Sequence, residues 1–181
     1  MKRLLTAAAL LSAGAAVLTG CTNSAATEEV PVQGAPSAPV PACADGQLNF
    51  NAEPVVNSAG TTVGFKINYW VVGASGACSL TGYPGVTAAG GGPQVDAVRQ
   101  LRGGLFGGLP EGEDTPPTVV LDREHGAQAV VETTVLAHQS SACPTYTEFL
   151  TTPPDTTDTR PVSVTVPGCE FAVYPVYAWS R

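Results

Sequence analysis

The sequence predicts an all-β domain, an antiparallel immunoglobulin-like β-sandwich stapled by two disulfides. Short segments rich in Val, Thr and aromatic residues are separated by turns that use many of the 20 glycines and 16 prolines, which is typical of a sandwich. No segment has a convincing helical period. Four cysteines follow the first one, and an even number suits disulfide formation in an oxidising compartment. Closure of the sheet into a barrel is the alternative architecture.

The clearest strand signal lies at residues 62–72, where apolar and more polar residues alternate as in a strand with one buried face. The apolar positions are Val63, Phe65, Ile67, Tyr69 and Val71. Segments 118–122 and 127–136 are predicted to form a hairpin, with Gly126 in the turn available for a positive φ.

The C-terminal part predicts two further strands, at 162–166 and 170–178, and Pro175 indicates an edge or a strand end. Weaker strand candidates are 47–52 and 145–151. The segment 94–101 fits either an edge strand or a short helix that begins after a proline, and we favour the strand.

The first twenty residues predict a signal peptide rather than a transmembrane helix. Lys2 and Arg3 provide the positive charge, and the uncharged segment 4–18 is shorter than the roughly 20 residues that span a bilayer. Residues 17–21, Val-Leu-Thr-Gly-Cys, resemble the lipobox of bacterial lipoproteins, which implies cleavage before Cys21 and acylation of its thiol, palmitate included. We therefore expect a lipid anchor on the outer face of the cell membrane. An uncleaved signal anchor and an ordinary cleavage site are the alternatives.

The segment 21–42 is predicted to be a tether, because it holds four prolines and almost no large apolar side chain. Loss of the leader would leave 161 of the 181 residues and change the formal charge from −7 to −9, since Lys2 and Arg3 leave. Such acidity argues against nucleic-acid binding, and the other cations are too scattered for a basic face. Residues 43–181 have the length of one domain.

The four later cysteines, Cys43, Cys78, Cys143 and Cys169, can pair in three ways, and their order alone does not decide among them. We favour Cys43 with Cys78 and Cys143 with Cys169, because the second bridge would join the approach to one strand and the start of the last. Metal ligation is the alternative, but no Cys-x-x-Cys pair occurs and thiols outside the cell tend to oxidise.

The segment 78–86, Cys-Ser-Leu-Thr-Gly-Tyr-Pro-Gly-Val, resembles the signature of an actinobacterial family of secreted and lipid-anchored domains, domain of unknown function 4232 (DUF4232). The four cysteines follow in the order of that family, so the resemblance covers most of residues 43–176. It implies a β-sandwich at the cell envelope and no established activity. The chain departs from the family pattern at 88–117, which is longer and richer in glycine than the usual connection.

Within this signature, residues 83–86 predict a type II turn, with Gly85 at the position that accepts a positive φ. A structural role for the turn is the simpler interpretation. The alternative is that Tyr83 is presented to a sugar or a peptide.

The glycine-rich segment 103–110 carries Leu105, Phe106 and Leu109, although apolar side chains on a glycine spacer are unusual in solvent. We favour a loop that folds back and packs the three side chains into its own core. The alternative is a hydrophobic contact with a partner.

Signals of catalysis and metal binding are weak. His125 and His138 lack the spacing of a zinc site and are predicted to be solvated loop residues. No Gly-x-Ser-x-Gly elbow is present. Asp155 and Asp158 could hold calcium only weakly, because they lack repeated oxygen ligands. We therefore predict no catalytic residue, no metal and no cofactor.

These observations support the hypothesis of a non-enzymatic, lipid-anchored module that binds or scaffolds a protein or glycan of the cell envelope. An envelope hydrolase with His125 and His138 as acid–base groups is one alternative. A carrier of a metal or a small ligand is the other.

Overall fold

The computed structural model describes residues 38–60, 62–134 and 143–180, and all of them belong to one compact unit. The predicted signal peptide, Cys21, most of the predicted tether and His138 lie outside the described residues. Within these ranges the chain forms strands and turns and no helix, so no helix there could cross a membrane.

The described part of the chain contains twelve strands. They are β1 (Leu48–Val56), β2 (Thr62–Val71), β3 (Cys78–Thr81), β4 (Gly85–Gly90), β5 (Val95–Asp96), β6 (Val98–Arg99), β7 (Thr118–Leu121), β8 (His125–Thr134), β9 (Thr145–Thr152), β10 (Arg160–Pro167), β11 (Glu170–Val173) and β12 (Tyr177–Ser180).

The strands form three sheets. The largest has the order β1-β2-β8-β11-β6. Its sixth strand, β12, pairs with residues 125–128 of β8, next to residues 131–134, which pair with β11. A four-stranded sheet has the order β10-β9-β4-β5, and β3 pairs with β7 in a small third sheet. The pairing of β11 with β6 is parallel, whereas the other ladders are antiparallel. The predicted all-β class with packed antiparallel sheets is confirmed.

The two larger sheets pack through a cluster of buried aromatic rings. Phe65 of β2 lies 4.5 Å from Phe149 of β9 between ring centroids. Phe171 of β11 meets Phe149 edge-on at 5.2 Å and Tyr146 of β9 at 5.5 Å. Complete burial of one such ring stabilises the fold by about 3 kcal/mol. Because these rings come from alternating apolar positions of the strands, those positions form the centre of the domain.

Most predicted strands are confirmed, including β5 and β6 within the ambiguous segment 94–101, which holds no helix. Pro175 separates β11 from β12, as its lack of a backbone N–H leads one to expect. The favoured disulfides are also confirmed, since Cys43 is bonded to Cys78 and Cys143 to Cys169.

The predicted hairpin of 118–122 with 127–136 is wrong. Strand β7 pairs with β3, whereas β8 pairs with β2, β11 and β12, so the turn between them carries the chain from one sheet to another. Gly126 lies inside β8 rather than in the turn, opposite Trp179. A side chain there would approach the Tyr69 carbonyl oxygen to 2.6 Å. A hairpin and a sheet-to-sheet turn share the same local pattern, and only the pairing partners distinguish them.

Candidate functional site

The glycine-rich segment forms a loop whose two ends meet. The backbone amide of Leu109 donates a hydrogen bond to the carbonyl of Leu101 at 2.8 Å, as in a compact Ω-loop. Arg102 closes the base, because its Nε donates to the carbonyl of Pro110 at 3.3 Å and its Nη2 lies 2.5 Å from a carboxylate oxygen of Asp114. The loop therefore has a defined closure.

The tip of the loop is held by one carboxylate. The amide of Leu105 donates to Oε2 of Glu132 at 2.8 Å, and the amides of Phe106 and Gly107 donate to Oε1 at 2.7 and 2.8 Å. Three consecutive N–H groups that converge on an anion form a nest, and hydrogen bonds to an ionised acceptor are stronger than neutral ones. The backbone of the tip is thus satisfied by Glu132.

Tyr174, which follows β11, supports the loop from below. A Cβ atom on Gly107 would lie 2.7 Å from the Tyr174 Cγ atom, and one on Gly104 would lie 2.6 Å from Cζ. The glycines are required here because the loop backbone rests directly on the aromatic ring. Burial, and then the charge of Glu132, raise the pKa of the Tyr174 hydroxyl.

Because the backbone faces inward, the apolar side chains of the tip face solvent. Leu105 is 71% exposed and Phe106 is 43% exposed, whereas Leu109 is half-buried. Val98 of the neighbouring strand β6 is exposed as well. The prediction that the loop packs Leu105 and Phe106 into its own core is wrong, since the contacts under the tip are made by its backbone with the Glu132 carboxylate and the Tyr174 ring.

Tyr83 lies in a second region, next to a cleft. The guanidinium carbon of Arg99 is 6.0 Å from the centroid of the half-buried Tyr83 ring. The predicted type II turn is wrong, because Gly82 has the positive φ of 93° while Gly85 begins β4 and pairs with Thr152. The adjacent cleft has a volume of about 350 Å³, and its walls include Pro84, Val86, Thr87, Asp96, Arg99 and Leu150.

The described histidine belongs to a turn. Nδ1 of His125 lies 2.9 Å from Oδ1 of Asp122, and the same carboxylate accepts the amides of Glu124 and His125, each at 2.8 Å. These amides, first that of Glu124, lower the pKa of Asp122. The arrangement is an Asx-type turn.

The two aspartates considered for calcium have separate roles. Asp158 forms an ion pair with Arg160 at 3.1 Å and accepts the amide of Gly46 at 3.3 Å. Asp155 is an exposed turn residue with a φ of 57°. In the described ranges no group of three or more His, Cys, Asp or Glu side chains is arranged to hold a metal ion.

Comparison with known families gives a clear assignment. Residues 43–179 match the family described as a domain of unknown function, DUF4232. The chain belongs to this family. The match includes all twelve strands up to Trp179, and therefore both the Ω-loop and the cleft. No curated protein and no solved structure matches the chain.

The residues that shape the loop of this DUF4232 domain were not predicted from the sequence. Glu132 is separated from Phe106 by 26 positions and lies in a strand, where an outward carboxylate is ordinary. Tyr174 belongs to a segment recognised only as a strand. The one available signal was the spacing of glycines at 103, 104, 107 and 108, which indicates close backbone approach but not its partner.

Proposed function

We propose that the protein is a non-enzymatic binding module, held at the outer face of the cell membrane by lipid on Cys21, and that its Ω-loop binds an envelope protein. The observation that carries this proposal is the exposure of Leu105 and Phe106 on a backbone that Glu132 holds in place. Apolar side chains on an ordered backbone form a preorganised contact, because little loop entropy is lost on binding.

The charges around the loop define the complementary surface. Glu111 and Glu113 are exposed and follow the tip directly, and the chain is acidic overall with a formal net charge of −7. An anionic lipid surface would repel this rim. The partner should therefore offer an apolar pocket with basic residues at its edge, which steer association and set the orientation.

Site-specific photo-crosslinking in the native membrane tests this proposal. A benzophenone amino acid replaces Leu105 in the full-length lipoprotein, and we expect a crosslink to one discrete envelope protein. Phe106→Ser should abolish that crosslink. Val120→Ser is the matched control, since Val120 is 44% exposed and lies on β7 rather than on the loop. Crosslinks only to lipid, or a crosslink that survives Phe106→Ser, would contradict the proposal.

A further inference from the structure

The outer face of the six-stranded sheet holds both tryptophans of the chain. In β2 the side chains of Phe65, Ile67 and Tyr69 are fully buried in the core. Successive side chains of a strand point to opposite faces, so Asn68 and Trp70 point away from the core. The register continues this outer face across β1, β8 and β12.

One row of this face is aromatic. On one side Trp70 is paired with Asn49 of β1. On its other side it lies beside β8, because the preceding residue, Tyr69, is paired with Ala127. Trp179 of β12 is paired with Gly126, and a Cβ atom on Gly126 would lie 2.9 Å from Cε3 of the Trp179 indole. The two tryptophans thus lie on either side of β8. Two strand spacings separate their backbones by about 10 Å.

The next row is a chain of hydrogen-bonded polar side chains. The Tyr177 hydroxyl donates to Gln128, the Gln128 amide donates to Asn68, and the Asn68 amide donates to Asn51 at 3.0 Å. Asn68 is 1% exposed and Gln128 is 6% exposed. Their contacts hold Tyr177 in place, and the chain ends at the solvent-exposed Asn51.

The charge of the face selects among ligand classes. Neither row contains a charged side chain, and the row beyond Asn68 pairs Lys66 with Glu53, whose formal charges cancel, although the protein as a whole carries a formal net charge of −7. Half-buried aromatic rings can pack against the C–H faces of pyranose rings, and an exposed amide exchanges hydrogen bonds with sugar hydroxyls. Anionic polymers and anionic lipid would require an excess of basic residues, whereas the face pairs its Lys66 with Glu53. An apolar partner would leave the polar row unmatched.

We propose that this face binds a neutral polysaccharide of the cell envelope, with pyranose rings over Trp70 and Trp179 and Asn51 as a hydrogen-bonding contact. The two rows contain no residue of the Ω-loop, which lies farther along the same face over Val130, and the proposal goes beyond the protein contact proposed for that loop.

Tryptophan fluorescence of the full-length protein in detergent micelles tests the proposal directly, because both tryptophans of the chain belong to the site. The probes are cellohexaose, chitohexaose and the neutral polysaccharide fraction of the cell wall of the source organism, with polygalacturonate as the anionic comparison. We expect a saturable change with at least one neutral glycan and none with polygalacturonate. No change with any neutral glycan, confirmed by calorimetry, would overturn the proposal.

Three variants locate the binding. Trp70→Ala and Trp179→Ala should each raise the dissociation constant for the neutral glycan at least tenfold, as expected for an aromatic hot spot. Asn51→Ala, a surface change that leaves the core intact, should raise the dissociation constant about threefold. Phe106→Ser is the control and should bind glycan normally. Binding that survives all three changes, or self-association that Trp179→Ala abolishes without glycan, would overturn the proposal.

Discussion

The Oε1 atom of Glu132 lies 2.7 Å from the backbone nitrogen of Phe106. This contact between a strand and a loop tip explains why an aromatic side chain stays exposed on a glycine-rich segment. The amide is satisfied from inside the loop, and therefore the side chain of Phe106 points outward. The loop is ordered by polar contacts of its backbone and not by burial of its apolar residues.

Removal of this carboxylate should release the loop. Glu132→Ala leaves three amides without their acceptor, and we expect faster proteolytic cleavage within 103–108 and a loss of about 1–3 kcal/mol in the free energy of unfolding. Glu148→Ala on β9 is the control, because Glu148 is exposed and away from the loop. Equal cleavage rates for the two variants would show that Glu132 does not hold the loop.

A single methyl group should separate the loop from Tyr174. In Gly107→Ala the new Cβ would lie 2.7 Å from Tyr174 Cγ, so the tip must move away from the ring. Gly76→Ala is a matched change, since its Cβ would meet nothing within 4 Å and its φ is not positive. We expect a lower melting temperature for Gly107→Ala only, measured by calorimetry. A drop of the same size for both variants would point to a general cost of losing glycine.

The two disulfides should differ in their contribution to stability. They close loops of 35 and 26 residues, and the chain-entropy model gives each about 3.5–4 kcal/mol. Cys43 and Cys78 also belong to the hydrophobic core, whereas Cys143 and Cys169 are half-buried. Replacement of the first pair by alanine should therefore cost more free energy of unfolding, measured by denaturant titration. A larger loss for the second pair would contradict this order.

The turn between β7 and β8 should weaken in acid. Backbone amides lower the pKa of Asp122 in the folded state. The stability that this carboxylate contributes is therefore complete above its unfolded pKa of about 4. It is lost as the pH falls through the lower pKa of the folded state. The amide NMR signals of Glu124 and His125 should shift in that range. Asp122→Asn keeps an acceptor oxygen but cannot titrate, and the shift should disappear. Its persistence in that variant would exclude Asp122 as the titrating group.

Local alternation of apolar and polar residues was enough to predict most strands. The period of two is a property of each strand by itself, as 62–72 illustrates, and it identifies which side chains enter the core. The expectation that one bridge joins the approach to one strand and the start of the last led to the favoured pairing, which the structure confirms for Cys43 with Cys78 and for Cys143 with Cys169. The predicted membership of the DUF4232 family is confirmed by the match over residues 43–179.

The candidate sites depended on contacts between residues far apart in the chain. Glu132 meets Phe106 across 26 positions, and Trp70 and Trp179 share a face only because β2 and β12 both pair with β8. The predicted hairpin was wrong for the same reason, since β7 pairs with β3 rather than with β8. The sequence by itself determined which side chains of a strand such as β2 face the core, because that pattern is local. Only the tertiary structure decided which strands pair and which side chains meet, because those choices depend on packing across the whole domain.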